Sequence, residues 1–441
     1  MEDVRASDSQ LSKSLSPLML WGLGVGYVIS GEYFGWNLGL AEGGTFGMLA
    51  ATLLVTVMYV TFVLSYAEVS CSIPRAGGAF VYADRAFGRK VGFLIGLAQL
   101  VEFVFAPPAI AFAIGAYFNI FLPSIPAAAI AVAAYLVFTG LNIYGVKQSA
   151  IFELGVTILA VGELLLFAGL TLPSFSWAAF SMEPFIEGRD WLGMLPAIPY
   201  AIWFYLAIEG VANVAEEAKN PQRDLALGFG SAMGTLVVLA LLTFFSSIGV
   251  AGWRAVVYAG GEIVDKPLPL ALQRVVGEGH PFFHLLIGIG LLGLIASFHG
   301  IILVAGRATL EFGRVGYLPR MFGKTHATRK TPAPALILNM LVGFLALATG
   351  HTGEIIVMSV FGALTLYSGS MLALFKLRKQ EPDLHRPFRA PLYPIFPGLA
   401  LMLSLFCLGA VVYYNQQLAV VYGLVMLTGY MMFLGLAPKE K

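Results

Sequence analysis

Apolar positions along this chain come in long runs separated by short polar breaks, the pattern of helices buried all round rather than of amphipathic surface helices. Runs of about 20 apolar residues suffice for one helix to cross the roughly 30 Å hydrocarbon layer of a bilayer. They fall at 17–41, 46–70, 90–118, 125–144, 150–171 and 192–214, then at 226–250, 281–306, 333–350, 355–375, 393–414 and 417–436. The uncharged stretch from Ala390 to Pro438 divides into two spans hinged at Asn415-Gln416-Gln417. The pattern predicts an all-α integral membrane protein of twelve spans, with both termini on one side.

Composition agrees. The 441 residues are 58% hydrophobic and 12% charged, and the mean hydropathy is +0.82. Soluble domains carry about 25% charged residues. Of the 26 Lys and Arg, all but Arg189, Arg254, Lys266 and Arg274 fall on the side of the termini. That asymmetry is the positive-inside signature and predicts cytoplasmic termini. Basic clusters such as Arg329-Lys330 and Lys376-x-Arg378-Lys379 read as anchors facing anionic lipid. A net charge of +1 gives no sign of a nucleic-acid partner. Cys71 and Cys407 are too few and too far apart for a disulfide framework or a CxxC site. The polar stretch from Met1 to Ser16 lacks a cleavable-signal pattern, so the first span is expected to stay as an anchor.

Two spans carry helix-breaking residues. The first contains Gly22, Gly24, Gly26 and the Ser30-Gly31 pair; the sixth contains Pro196 and Pro199, then Ala207-Ile208-Glu209-Gly210. Interrupted helices at corresponding places in two halves point to a secondary transporter built from inverted repeats. On this reading residues 1–441 form one transporter domain. Its repeats cover about 17–171 and 192–375, and two further helices follow at about 393–436. Glycines that let membrane helices pack closely give the same pattern.

Three segments together resemble the amino acid–polyamine–organocation superfamily. They are Ile73-Pro74-Arg75-Ala76-Gly77-Gly78-Ala79-Phe80-Val81-Tyr82 after span 2, Glu216-Glu217-Ala218-Lys219-Asn220-Pro221 after span 6, and Arg307 through Gly313-Arg314-Val315-Gly316-Tyr317-Leu318-Pro319 at the end of span 8. The resemblance implies the LeuT-like 5+5 inverted-repeat fold with discontinuous helices 1 and 6. Within it, Ile29-Ser30-Gly31-Glu32-Tyr33-Phe34-Gly35-Trp36-Asn37 looks most like the ethanolamine permeases. Amino-acid carriers of the superfamily have Gly-Ser-Gly-Ile/Val-Phe there, and freed backbone amides take the substrate carboxylate. Glu32 replaces the aliphatic residue and would repel that carboxylate, which favours an ammonium compound without an acid group. Some sodium-independent relatives carry a lysine in span 5; the matching position here is Ala160.

Four acids lie deep in spans: Glu32, Glu102, Glu163 and Glu209. No deep Lys or Arg matches them, so each must take up a proton, find a hydrogen-bond partner between helices, or meet a cation. The expected substrate site comprises Ser30, Gly31, Glu32, Tyr33, Glu102, Phe103, Trp203, Ala207 and His299. The resemblance implies a gating or coupling role for Glu209, and makes Trp203 the aromatic that closes over substrate. Glu163, by location, is a second coupling candidate. Trp203, Phe204 and Tyr205 are consecutive and cannot share one helical face, so Tyr205 is either gate or packing. Phe103 and Phe105 offer cation–π faces, and Pro107-Pro108 would kink their helix. His299 suits proton transfer or an interhelical hydrogen bond. Glu68 is expected to pair with Arg75 or Arg85.

No P-loop, GxGxxG in a βαβ unit, HExxH, CxxC pair or GxSxG elbow is present, so nucleotide chemistry, a metal, a cofactor and enzymatic activity are not expected. The expectation is import of ethanolamine or a close small amine (choline included), with protons, across a bacterial inner membrane. An amino-acid or polyamine symporter or exchanger of the same superfamily is the alternative. A channel or an intramembrane enzyme would lack the paired broken helices or need a nucleophile cluster.

Overall fold

A computed structural model describes residues 13–75, 77–145, 149–326 and 328–436. Helices dominate. They are α1 (Pro17–Val28), α2 (Ser30–Tyr33), α3 (Trp36–Ser72), α4 (Ala79–Phe87), α5 (Arg89–Phe121), α6 (Ala127–Tyr144), α7 (Ser149–Thr171), α8 (Trp177–Phe180), α9 (Met194–Ile202), α10 (Pro221–Ala251) and α11 (Arg254–Val257). After a two-stranded hairpin, β1 (Tyr258–Ala259) and β2 (Glu262–Ile263), come α12 (Pro267–Val276), α13 (Pro281–Arg314), α14 (Ala333–Leu347), α15 (Thr352–Gln380), α16 (Ile395–Tyr414) and α17 (Gln416–Leu436). Among the described residues, nine helices are long and apolar enough to cross a membrane; α1 and α14 are shorter apolar helices. Length and composition alone therefore do not reach twelve spans.

The most apolar stretches of α15, α5 and α13 are 89%, 78% and 72% buried, against 6% for α17. The first three are the interior, and a polar group on them must find its partners inside the protein. α17 turns its apolar surface outward, as a helix bathed in lipid does.

α1 begins where Ser16 accepts a hydrogen bond from the Met19 amide at 3.3 Å, with Pro17 at the first helical position, where a missing N–H costs nothing. Its glycines are packing sites. A Cβ at Gly22 would lie 2.8 Å from Leu154 of α7, and one at Gly24 would lie 2.9 Å from Ala232 of α10. The chain breaks later than the Ser30-Gly31 pair suggests. Phe34 is extended and Gly35 has φ +89°, a conformation costly for any residue with a Cβ. Gly44, at φ +67°, then folds α3 back on itself.

The second interruption follows α9. Pro196 and Pro199 sit within that helix, and the break falls on residues 203–207, which open with the aromatics Trp203, Phe204 and Tyr205 and end where Ala207 adopts φ +76°. A 3-10 helix, Ile208–Glu217, continues the segment; so long a 3-10 run is uncommon and marks an unusual stretch of chain. α5, by contrast, passes through Pro107-Pro108 without ending.

At the end near the chain termini, the amides of Ser14 and Leu15 both donate to the Glu217 carbonyl at 2.9 Å, and the Lys219 amide donates to the Leu15 carbonyl at 2.9 Å. Glu68 does not pair with Arg75 or Arg85. It accepts from Arg378 Nε and Nη2 at 2.8 and 2.5 Å and from the Ala390 amide at 2.7 Å, with Arg386 at 3.3 Å. The last turn of α15 and the loop after it pack beside the end of α3, so those bases are the near ones. Arg85 pairs instead with Glu381 at 2.6 Å on the surface.

At the opposite end, Asp265 accepts a hydrogen bond from Thr352 Oγ1 at 2.7 Å, tying the approach to α12 to the start of α15. Burial pushes its carboxyl up to about 6, partly offset by the Thr352 bond. The closed arrangement thus binds the proton more tightly than an opened loop does. Its contribution is complete below the ordinary carboxylate range near pH 4 and is lost as pH rises through about 6. Amide exchange in residues 258–276 should be faster at pH 7.5 than at pH 5 after correction for intrinsic rates, and Asp265→Asn should remove that difference.

Candidate functional site

The two interruptions cross. A Cβ on Gly31 would collide with the Trp203 carbonyl oxygen and lie 3.1 Å from the Phe204 Cα. Above and below the crossing, Phe34 meets Trp203 edge-on at 5.5 Å and Trp36 stacks on Phe204 at 5.8 Å. Even one methyl at Gly31 would push the two backbones apart. Gly31→Ala should lower stability by about 1–3 kcal/mol and abolish uptake at unchanged expression, as read by thermal unfolding in detergent and by transport.

The polar groups that the first interruption frees are largely satisfied by side chains. Ser297 Oγ donates to the Tyr27 carbonyl at 2.7 Å and contacts Ser30 Oγ at 2.8 Å. Trp36 Nε1 donates to the Glu32 carbonyl at 3.1 Å, and Tyr117 Oη to the Tyr33 carbonyl at 3.0 Å. The Glu32 carboxylate is the exception: it is fully buried, and among the described residues neither oxygen has a hydrogen-bond partner. Trp203 Nε1 is likewise buried and unpartnered, with its ring over Gly35.

A second acidic centre lies between α5, the 3-10 helix, α15 and α3. Glu102 lies close to Glu209 and to the Ala207 backbone. Tyr367 Oη donates to Glu209 at 3.1 Å and lies 3.4 Å from Glu102, and Tyr59 Oη joins it at 2.9 Å. Among the described residues, one oxygen of each carboxylate, Oε2 of Glu102 and Oε1 of Glu209, remains unpartnered. Two carboxyls this close cannot both stay ionised without a positive charge between them, so this centre can hold a shared proton or an ammonium group.

Glu163 stands apart from both. It accepts from Tyr33 Oη at 2.7 Å and lines a small hollow beneath α12 with Tyr117, Phe167, Leu268 and Leu286. Tyr205 hydrogen-bonds Thr56 at 2.7 Å and packs on Tyr59. His299 turns away from Glu32: its Nδ1 meets Asn142 Nδ2 at 3.0 Å and its ring abuts Phe138. Phe103 faces α6, α13 and α14, beside Tyr135, Ile302 and Leu336. The structure thus gathers Ser30, Gly31, Glu32, Trp203 and Ala207 around one crossing, with Glu102 and Glu209 against Ala207. Phe103 and His299 serve neighbouring helix contacts.

Tyr59, Tyr367, Ser297 and Glu153 were not legible as functional positions. Hydroxyls on apolar helices are common, and only the fold shows that Tyr367 meets two carboxylates, Tyr59 meets Tyr367 and Ser297 meets the first interruption. None of Glu32, Glu102, Glu153, Glu163 and Glu209 forms an ion pair among the described residues, nor do three or more His, Cys, Asp or Glu gather there to hold a metal.

The sequence pattern of a family described as amino acid permease matches residues 15–436. The chain is 27% identical to a methylthioribose transporter of Bacillus subtilis (strain 168), over 89% of this chain and 87% of that protein. It is 26% identical to the branched-chain amino acid permease BcaP of the same organism, over 91% and 88%. It is 24% identical to the low-affinity putrescine importer PlaP of Escherichia coli (strain K12), over 84% and 83%.

Proposed function

The chain belongs to the amino acid permease family, and on that premise we propose that it imports ethanolamine or a closely related small organic amine by alternating access, coupled to protons. It is an integral membrane transporter and not an enzyme. The observation that carries the substrate reading is Glu32: a buried carboxylate with two unpartnered oxygens at the crossing of the interruptions. An ammonium group would compensate it; the carboxylate of an amino acid would be repelled. In this reading Glu32 holds the ammonium and Trp203 closes over it. A change of protonation at the Glu102–Glu209 pair then biases rocking of one bundle against the other, because only a difference in affinity between two states can drive the change. The termini face the cytoplasm of a bacterial inner membrane.

A second reading, a polyamine carrier, is favoured by the Glu102–Glu209 centre, which offers a further acidic place for a second ammonium. The putrescine importer among the relatives agrees with it. Purified protein in proteoliposomes, tested with labelled ethanolamine, choline, putrescine and leucine under an inward proton gradient, separates the readings. Ethanolamine should accumulate, and more with the gradient than without. Accumulation of putrescine alone selects the second reading; accumulation of leucine without any amine overturns both.

A further inference from the structure

Glu153 of α7 belongs to neither acidic centre. It is 1% exposed, and among the described residues its Oε1 has no hydrogen-bond partner. Three elements close around that oxygen. A Cβ at Gly26 of α1 would fall 2.8 Å from both Glu153 Oε1 and Thr157 Oγ1, and one at Gly300 of α13 would fall 3.3 Å from Glu153 Oε1. Thr157 is already engaged, donating to the Gly22 carbonyl at 3.1 Å. The carboxyl is therefore pressed against two glycine backbones.

Of the titratable groups around it, Tyr27 of α1 is the near one; its buried hydroxyl is also unpartnered, and its ring packs on Gly300 and Gly210. Tyr27 in turn feels Arg307 of α13 and Glu217 of the 3-10 helix, which pair with each other at 2.7 Å and are partly exposed. Among the described residues, α10 and α12 bring no charged group to Glu153. His299 of α13 is turned to Asn142.

We propose that Glu153 is a proton-binding site between α1, α7 and α13, separate from the substrate centre, and that it exchanges its proton toward the termini side past Tyr27 and the Arg307–Glu217 pair. A protonated carboxyl lets α1 lie against α13. Once the proton leaves, an unpaired carboxylate between two glycine backbones must gain water or separate the helices. Proton binding here thus sets how closely the first interrupted segment docks. The proposal rests on the transporter reading above, but not on the identity of the substrate.

The decisive test needs no substrate. Infrared difference spectra of the full chain in lipid nanodiscs, stepped from pH 5 to pH 9, should show a protonated-carboxyl C=O band that is absent from Glu153→Gln and kept, shifted, in Glu153→Asp. Unchanged spectra in Glu153→Gln overturn the proposal. As a second readout, Glu153→Gln should lose at least tenfold of the gradient-driven accumulation of ethanolamine while keeping ethanolamine counterflow. Gradient-driven accumulation that survives in full also overturns the proposal. Should the unaltered protein fail to take up ethanolamine, the amine reading falls, and the infrared bands still decide Glu153.

Discussion

Glu32→Gln should weaken ethanolamine binding by about thirtyfold to a few thousandfold. Glutamine has nearly the shape of glutamate, so the crossing at Gly31 and Trp203 stays packed and only the charge is lost. Removing one member of a buried, hydrogen-bonded charge pair costs about 2–5 kcal/mol, which converts to that range of Kd. Of Glu32, Glu102, Glu153, Glu163 and Glu209, Glu32 alone has both oxygens without partners among the described residues, so the ammonium would be its sole compensation. Glu163 already accepts from Tyr33, so Glu163→Gln should move the same Kd far less. Calorimetry on purified protein reads both. Equal affinity in Glu32→Gln and the unaltered protein would remove Glu32 from the site and the amine reading with it.

Glu68→Ala should destabilise the protein by about 3–5 kcal/mol, the cost of breaking a buried ion pair by deleting one partner. Glu68 is fully buried and receives two Arg378 nitrogens and the Ala390 amide, with Arg386, 7% exposed at its side chain, close by. Alanine leaves those donors facing each other in the interior. The pair Arg85–Glu381 supplies the contrast, because its side chains are 41% and 32% exposed. Glu381→Ala should cost no more than about 1 kcal/mol, as exposed pairs do. Thermal unfolding in one detergent compares the two; similar midpoints for both variants would show that the Glu68 network adds no stability.

Hydropathy located the apolar helices because a lipid-crossing segment must be apolar over its whole length, whatever it packs against. The two interruptions were legible too: the second turns at Ala207, inside the segment that the sequence marks, whereas the first turns at Phe34-Gly35, beyond Ser30-Gly31. Ser30-Gly31 reads as a hinge by composition; in the fold Gly31 is where a backbone passes and Gly35 is where the chain turns. The pairing of Glu102 with Glu209 could not be read, since it depends on how α5 lies against the 3-10 helix. Glu153 escaped because depth was judged from the edge of an apolar run, whereas burial depends on which face meets α1 and α13. Glu68 was assigned to the nearest bases in sequence, and the fold supplied nearer ones from α15 and the loop after it. Phe103 and His299 sit at the right depth on helices whose rotation turns them elsewhere, a variable that hydropathy does not encode.

The short parallel bridge of Leu15 with Ala218 yokes the entry of one discontinuous helix to the exit of the other. In the proposed alternating-access cycle a swing of α1 would carry the exit of the 3-10 helix with it. The two would then act as a double leaf on a single hinge pin, and cutting the pin, rather than either leaf, would let the two halves open out of step.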